Sequence, residues 1–150
     1  MIKKVLLLLM IVIGSVVSYC QSVKKFAPVK NKTSQKQQLI NSMQVLKKLV
    51  TANNTQEIYT RLVYSGKEDK ENRWKRRADP NNPEDIQSSK RLMTKLKEGL
   101  LNCDKINYEE VRIEKESEGI WYVITANCGN KKNNYAFLKI NNSFMLGDID

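Results

Sequence analysis

Apolar positions in the first half of the chain recur with the period of a helix. The spacing predicts a helix from about residue 35 to 52, with Ser34 and Gln37 resembling a capping box at its start. Four residues at steps of four, three and four form its apolar face: Leu39, Met43, Leu46 and Val50. The chain therefore begins its folded part with an amphipathic helix.

Two further helices are predicted before residue 102. A short one runs from Thr55 to about Tyr64, where Ser65 and Gly66 stop it. The other begins after Asn82 with a proline and two acids, and runs to about Leu101. Its apolar face is formed by Ile86, Met93, Leu96 and Leu100. The charged residues between these helices, 66 to 82, show no period and are predicted to form a loop.

After residue 105 the apolar period changes to two, which is typical of strands. Tyr108 and Val111 belong to opposite phases, which predicts a bulge between them. Further strands are predicted over 120–126, 135–140 and 144–149, separated by turns over 117–119, 129–133 and 141–143. The sequence thus predicts the α+β class: N-terminal helices packed on a curved antiparallel sheet of three to four strands, in one domain over 34–150.

The first twenty residues have the pattern of a bacterial export signal. Lys3 and Lys4 precede an apolar run over 5–17, which is shorter than the roughly 20 residues that span a bilayer. The Val17-Ser18-Tyr19-Cys20 sequence resembles a lipobox, which implies acylation of Cys20 and cleavage before it. Cleavage after Ser18 or after Cys20 by ordinary signal peptidase and an uncleaved anchor are the alternatives. The protein is predicted to be exported to the cell envelope, in the periplasm or at the outer membrane, lipid-anchored or soluble.

The charge of the chain is concentrated next to this signal. Formal net charge is +10, and residues 21–56 contain seven lysines and no acid. Residues 21–33, with Pro28 and no apolar period, are predicted to be a flexible basic tether. Beside a lipid anchor such a segment is attracted to anionic head groups; alternatively it is a solvated linker. Nucleic acid is the usual partner of a basic protein, but the predicted export argues against it, so no nucleic-acid partner is expected.

The absence of histidine limits the chemistry that the chain can perform. It excludes Ser-His and Cys-His nucleophile pairs and His-ligated metals. Gly-rich phosphate loops, CxxC motifs and calcium loops are also missing from the sequence. We therefore predict no enzyme activity, catalytic residue, metal or cofactor. In an oxidising compartment Cys103 and Cys128 are predicted to form a disulfide bond.

The predicted loop contains the best candidate binding residues of the sequence. They are three arginines around a tryptophan: Arg73, Trp74, Arg76 and Arg77. A tryptophan among cations is able to stack on a sugar or a partner's ring while the arginines hold phosphate or carboxylate. Alternatively the tryptophan packs back onto the domain and the charges are solvated.

The predicted layout resembles a known superfamily. Helices followed by a curved sheet, with a strand at Trp121-Tyr122-Val123 and a last strand from Phe144 to Asp150, look like the cone-shaped fold of the nuclear transport factor two-like superfamily. They also look like the small exported lipoproteins that carry such domains. The resemblance implies a pocket between helices and sheet, used by members for binding or catalysis. A cystatin-like or other two-layer fold is the alternative.

Three functions follow from these features. The first is an envelope binding or interaction module, anchored through lipidated Cys20 and the basic tether, with a small ligand, a glycan or an envelope protein as partner. The second is a structural or accessory envelope protein without a ligand pocket. The third is a pocket enzyme of the cone-fold type. The open face of a short sheet also allows a homodimer.

Overall fold

The computed structural model describes residues 30–150, with side chains from Ser34 onward. The predicted signal peptide, Cys20 and most of the predicted tether lie outside the described residues. Within 30–150 no helix combines the length and the apolarity needed to cross a membrane.

Three helices precede a four-stranded antiparallel sheet, which confirms the predicted α+β class. The helices are α1 (Lys30–Thr51), α2 (Thr55–Tyr59) and α3 (Pro83–Leu100). The strands are β1 (Asn107–Glu116), β2 (Gly119–Cys128), β3 (Lys131–Ile140) and β4 (Ser143–Ile149). Their order in the sheet, β1-β2-β3-β4, is a meander in which each strand pairs with the next.

The first helix begins earlier than predicted. It starts at Lys30, so Ser34 lies inside the helix and does not cap it. Pro28 is the last proline before Pro80, and no residue that breaks helices follows it until the helix has ended. The predicted apolar face is confirmed, since all four of its residues are buried.

The second helix is shorter than predicted because the backbone after it pairs with the sheet. Val63 donates its N–H to the carbonyl of Leu146 in β4, at 2.8 Å. On its other side the same segment bonds residues 74–78, with Ala78 N–H to Leu62 carbonyl at 2.9 Å. The segment Leu62–Tyr64 and residues 74–78 therefore extend the sheet beyond β4, and part of the predicted loop is paired backbone.

The buried face of α3 differs from the predicted one near the start of the helix, where it is shifted by one residue. Ile86 is 37% exposed, and Asp85 and Ser89 are buried in its place. Asp85 occupies this position because its carboxylate binds Arg76, as described below. The predicted start is confirmed: Asn82 caps the helix by accepting the N–H of Glu84.

The strand connections follow from local backbone chemistry. The register between β1 and β2 shifts between Tyr108 and Val111, which confirms the predicted bulge. Asn141 and Asn142 both have positive φ angles, 48° and 61°, as a two-residue hairpin turn requires. The polar loop predicted over 129–133 is a tighter turn, since β3 already begins at Lys131.

Side chains on the two sheet faces belong to two separate apolar clusters. The face toward the helices packs Ile124, Tyr135 and Phe137 against α1 and α3. The opposite face, called the outer face here, holds a smaller cluster made by Val63, Trp121, Leu138, Ile140 and Met145, with Trp74 packed against it. Because residues 60–78 cover only part of the outer face, this side of the sheet is the one that retains open surface.

A disulfide joins the end of α3 to the end of β2. Cys103 and Cys128 have their sulfur atoms at bonding distance, as predicted. Lys47 of α1 donates from Nζ to the carbonyl oxygens of Cys103 and Asp104, which fixes the same corner from the other side. In the chain-entropy account, closing a loop of 25 residues stabilises the fold by about 3 kcal/mol.

Candidate functional site

Arg76, one of the predicted binding residues, is held by the protein itself. Its guanidinium makes two hydrogen bonds to the Asp85 carboxylate, Nη1–Oδ2 at 2.5 Å and Nη2–Oδ1 at 2.9 Å. The carboxylate also accepts the backbone N–H of Asp79 at 2.7 Å. Arg76 in turn lies over the ring of Tyr64, 3.9 Å from its centroid. Arg76 therefore holds the loop against the start of α3. Its guanidinium is engaged by Asp85 and Tyr64 and is not available to bind a ligand.

Tyr64 makes a second contact with the start of α3. Its hydroxyl donates to Glu84 Oε1 at 2.7 Å. The hydrogen bond to Glu84, with burial second, raises the pKa of Tyr64 to about 12. Gly66 is needed beside it, because a Cβ there would lie 2.1 Å from the Tyr64 hydroxyl.

The other two arginines differ in their surroundings. Arg73 places its guanidinium carbon 5.1 Å from the centroid of the Trp74 ring. Arg77 is exposed, and its backbone pairs with Val63. Of these two arginines, Arg73 is therefore the one that contacts Trp74.

Trp74 is turned onto the outer face of the sheet. Its φ is +66°, a left-handed conformation that costs a non-glycine residue about 1–2 kcal/mol. Its N–H donates to the Tyr64 carbonyl at 2.9 Å, and its ring meets Trp121 edge to face with centroids 5.4 Å apart. Gly147 lies beneath both rings: a Cβ there would be 2.6 Å from Trp121 Cζ3. The strained backbone is thus retained by contacts that hold the two rings together.

A groove of about 220 Å³ opens on the outer face beside these rings. Trp121 and Val123 of β2 and Ala136 of β3 form its apolar floor, with Trp74 at its wall. Five carboxylates and one cation also line it: Glu114, Glu116, Glu118, Asp148, Asp150 and Arg112. We call this site the outer groove.

The carboxylates of the outer groove stand at its two ends. Glu114 and Glu116 are on β1, whereas Asp148 is on β4. One row of the sheet register runs from Arg112 through Val123 and Ala136 to Asp148. The two ends of this row, Arg112 on β1 and Asp148 on β4, are three strand spacings apart, about 14 Å. Arg112 offsets part of the charge at the β1 end, with its Nε 3.4 Å from Glu114 Oε1.

A second cavity of about 200 Å³ adjoins the groove, with Trp74 as the partition between them. It is lined on the α3 side by Arg91 and Lys95. Lys95 donates to the carbonyl of Ile149 and lies 4.0 Å from Asp150 Oδ1. Asp148 and Asp150 line both cavities, so the charge changes from mainly negative in the outer groove to two cations beside two carboxylates on the α3 side of Trp74.

The space between helices and sheet, where the resemblance implies a pocket, is packed. Tyr135 and Phe137 are buried there, and Tyr108 packs against them from β1. Burial raises the pKa of both tyrosines, Tyr108 and Tyr135. A smaller cavity of about 150 Å³ opens beside it, between α1 and Phe144. Along the described part of the chain no group of acidic, cysteine or histidine side chains is arranged to hold a metal ion.

The sequence indicated only part of the outer groove. Alternation along β2 places Trp121 and Val123 on one face, and Trp74 was a candidate on composition alone. Asp148 and Asp150 share a face of the last strand in the sequence pattern, but their convergence with the acids of β1 was missed, because Glu114 and Asp148 are 34 positions apart and meet only through the pairing of all four strands.

Comparison of the chain with protein-family models, with curated proteins and with solved structures gives no match. The function must therefore be argued from the geometry of the site.

We expect Asp85→Asn to lower the free energy of unfolding by about 2 kcal/mol at pH 7, because it removes the buried negative charge that pairs with the Arg76 guanidinium. The hydrogen bond from Arg76 holds the pKa of Asp85 below its usual value. A carboxyl whose pKa is lower in the folded than in the unfolded protein stabilises the fold fully above the unfolded pKa, about 3.9. This stabilisation is lost as the pH falls from that value through the folded pKa. Urea unfolding should therefore show a constant deficit from pH 8 to 5 that shrinks below about pH 4.

The matched control is Asp104→Asn, a change of the same kind at an exposed carboxylate for which no side-chain bond is seen among the described residues. It should leave stability within about 0.5 kcal/mol of the wild type. A deficit of Asp85→Asn that is absent at pH 7, or that persists unchanged to pH 2, would contradict the role given to this ion pair.

We expect Gly147→Ala to destabilise the protein by about 1–3 kcal/mol, because the new methyl group overlaps the Trp121 ring. In a Trp121→Phe background the smaller ring leaves room, and the same change should cost clearly less. A double-mutant cycle by urea unfolding measures this coupling. An equal loss of unfolding free energy in both backgrounds would show that glycine is not required at position 147 to make room for the Trp121 ring.

Proposed function

We propose that this protein is a non-catalytic binding module of the bacterial cell envelope, and that its ligand lies in the outer groove. The observation that supports this most is Trp74. A large apolar ring is held in a strained left-handed conformation at the wall of an open groove, although the main core lies on the opposite face of the sheet. Strained residues of this kind concentrate at binding and catalytic sites.

Binding is favoured over catalysis by the arrangement of the polar groups. The groove lining contains no serine, cysteine or histidine, so a paired nucleophile and base is missing from it. Carboxylates that act together on a glycosidic bond face each other at about 5–9.5 Å. Here the acids on opposite sides of the groove stand on strands whose backbones are about 14 Å apart, and the acids that share a strand lie side by side and do not face each other across a bond. This spacing suits two anchoring points for one ligand and not a shared reacting bond.

Export and anchoring form the second part of the proposal. The lysine-flanked apolar run and the lipobox-like sequence at Cys20 support an exported lipoprotein, with the basic segment after it held at the membrane surface. The Cys103–Cys128 bond suits an oxidising compartment. Helices packed on one face of a four-stranded meander support the proposed kinship with cone-shaped domains.

Intact mass of the mature protein, taken from its native envelope, tests the anchoring. We expect a diacyl or triacyl chain that begins at Cys20, with two hydrogens fewer before reduction than after it. An unmodified chain that begins at Tyr19 or Gln21 would replace the anchored protein by a soluble exported one. A chain that retains residues 1–18 would contradict cleavage.

Tryptophan fluorescence tests the groove, because the chain's two tryptophans, Trp74 and Trp121, both line it. Four probes cover the ligand classes: a lysine pentapeptide, a glutamate pentapeptide, chitotriose and decanoate. We expect a saturable change of emission with at least one of them, and its weakening by Trp74→Leu when binding is followed by calorimetry. No saturable change with any probe would contradict the proposed function and favour an accessory protein without a ligand site.

A further inference from the structure

The chemistry of the outer groove selects one class of ligand, an inference that rests on the function proposed above. In a chain with a net charge of +10, five of the six ionic residues that line the groove are acidic. The charge is therefore opposite to that of the molecule as a whole. A ligand that carries positive charge is attracted to this surface and repelled by the lysine-rich remainder.

The aromatic wall suits the same charge. Cations are attracted to the face of an indole ring. Arg73 already lies 5.1 Å from the Trp74 centroid, so this ring contacts a cation within the protein itself. Trp121 supplies a second indole, next to Glu114 in the sheet register. Aromatic rings beside carboxylates offer an alkylammonium or guanidinium group both an apolar surface and opposite charge.

The groove is too small to enclose a whole drug-sized ligand, so a longer ligand would lie across it with only part of its surface enclosed. Sites for drug-sized ligands and cofactors occupy roughly 300–1,000 Å³, whereas this groove measures about 220 Å³. The floor between its acidic ends is apolar, with Val123 and Ala136 in adjacent strands. A slender chain with a cation toward each end matches this shape. Five extended residues span about 13–17 Å, close to the separation of β1 and β4.

One polar atom distinguishes a peptide from a polyamine. The indole N–H of Trp121 has no hydrogen-bond acceptor among the described residues, and the side chain is only 7% exposed. A buried donor without an acceptor costs stability, about 1–3 kcal/mol. This N–H has almost no accessible surface, so a ligand carbonyl reaches it only when the Trp121 ring turns toward the groove; a peptide brings such an acceptor together with its cations, and a polyamine brings none.

We propose that the outer groove binds an extended basic peptide segment of a partner protein, with its lysine or arginine side chains at the Glu114–Glu118 end and at the Asp148–Asp150 end. The backbone between them lies across Val123 and Ala136 beside the two tryptophans.

Acetylated and amidated pentapeptides test this with the full mature chain, by calorimetry and tryptophan fluorescence. The first peptide has lysine at both ends and three alanines between them, the second has one lysine, and the third has acetyl-lysine at both ends. We expect the two-lysine peptide to bind about tenfold more tightly than the one-lysine peptide. The acetyl-lysine peptide should not bind measurably, and raising the salt from 50 to 500 mM should weaken the two-lysine peptide.

Two charge reversals on one strand provide the matched pair of variants. Glu116→Lys changes the groove end, and Glu110→Lys makes the same change at an exposed position of β1 that does not line the groove. We expect Glu116→Lys to weaken the two-lysine peptide about fivefold or more, and Glu110→Lys to change it less than twofold. If both variants weakened binding equally, only general charge attraction would be at work, and the proposal would be overturned.

The remaining outcomes separate this inference from the proposed function. Spermidine binding as tightly as the two-lysine peptide would overturn the peptide assignment and give the groove to polyamines. Saturable binding of the glutamate peptide, chitotriose or decanoate, without the lysine peptides, would overturn the cationic ligand and leave a binding groove. Failure of every probe would overturn both.

Discussion

The backbone pairing between the Leu62–Tyr64 segment and β4 determines where the candidate site lies. Through the bond between Val63 and Leu146, it ends α2 early and places residues 74–78 beyond the last strand of the meander. From there Trp74 reaches over Gly147 to Trp121. The ion pair of Arg76 with Asp85 then fixes the same residues to α3. Without this extension of the sheet the outer face would lack Trp74, which is both the wall of the groove and one of its two indoles.

Local patterns predicted most of the fold, and the site depended on contacts between distant residues. Periodicity gave the helices and strands, and the phase change at Tyr108 and Val111 gave the bulge. Position 86 was misassigned because a buried carboxylate at Asp85 is acceptable only with a partner, and Arg76 is not adjacent in sequence. The same reason kept the acidic ends of the groove from being recognised: no local pattern reveals that the meander brings Glu114 of β1 and Asp148 of β4 to one groove.

The distribution of charge gives the two faces of the domain different properties. Two arginines make contacts within the domain: Arg76 binds Asp85, and Arg73 lies on Trp74. The arginines that suggested an anion site in the sequence thus shape a surface of the opposite charge. The helix face is filled by core side chains, whereas the outer face combines open volume, indole rings and carboxylates. The proposed recognition of a cationic partner rests on this division.

The most direct test of this account is a proton–nitrogen NMR titration of the mature protein with the two-lysine peptide. The chain has two indole N–H signals, from Trp74 and Trp121, and both report on the groove. The account predicts that both signals shift in a saturable way, together with backbone signals of β1 and β4 that line the groove, while α1 signals stay in place. Shifts confined to α1, or unchanged indole signals at saturating peptide, would contradict it.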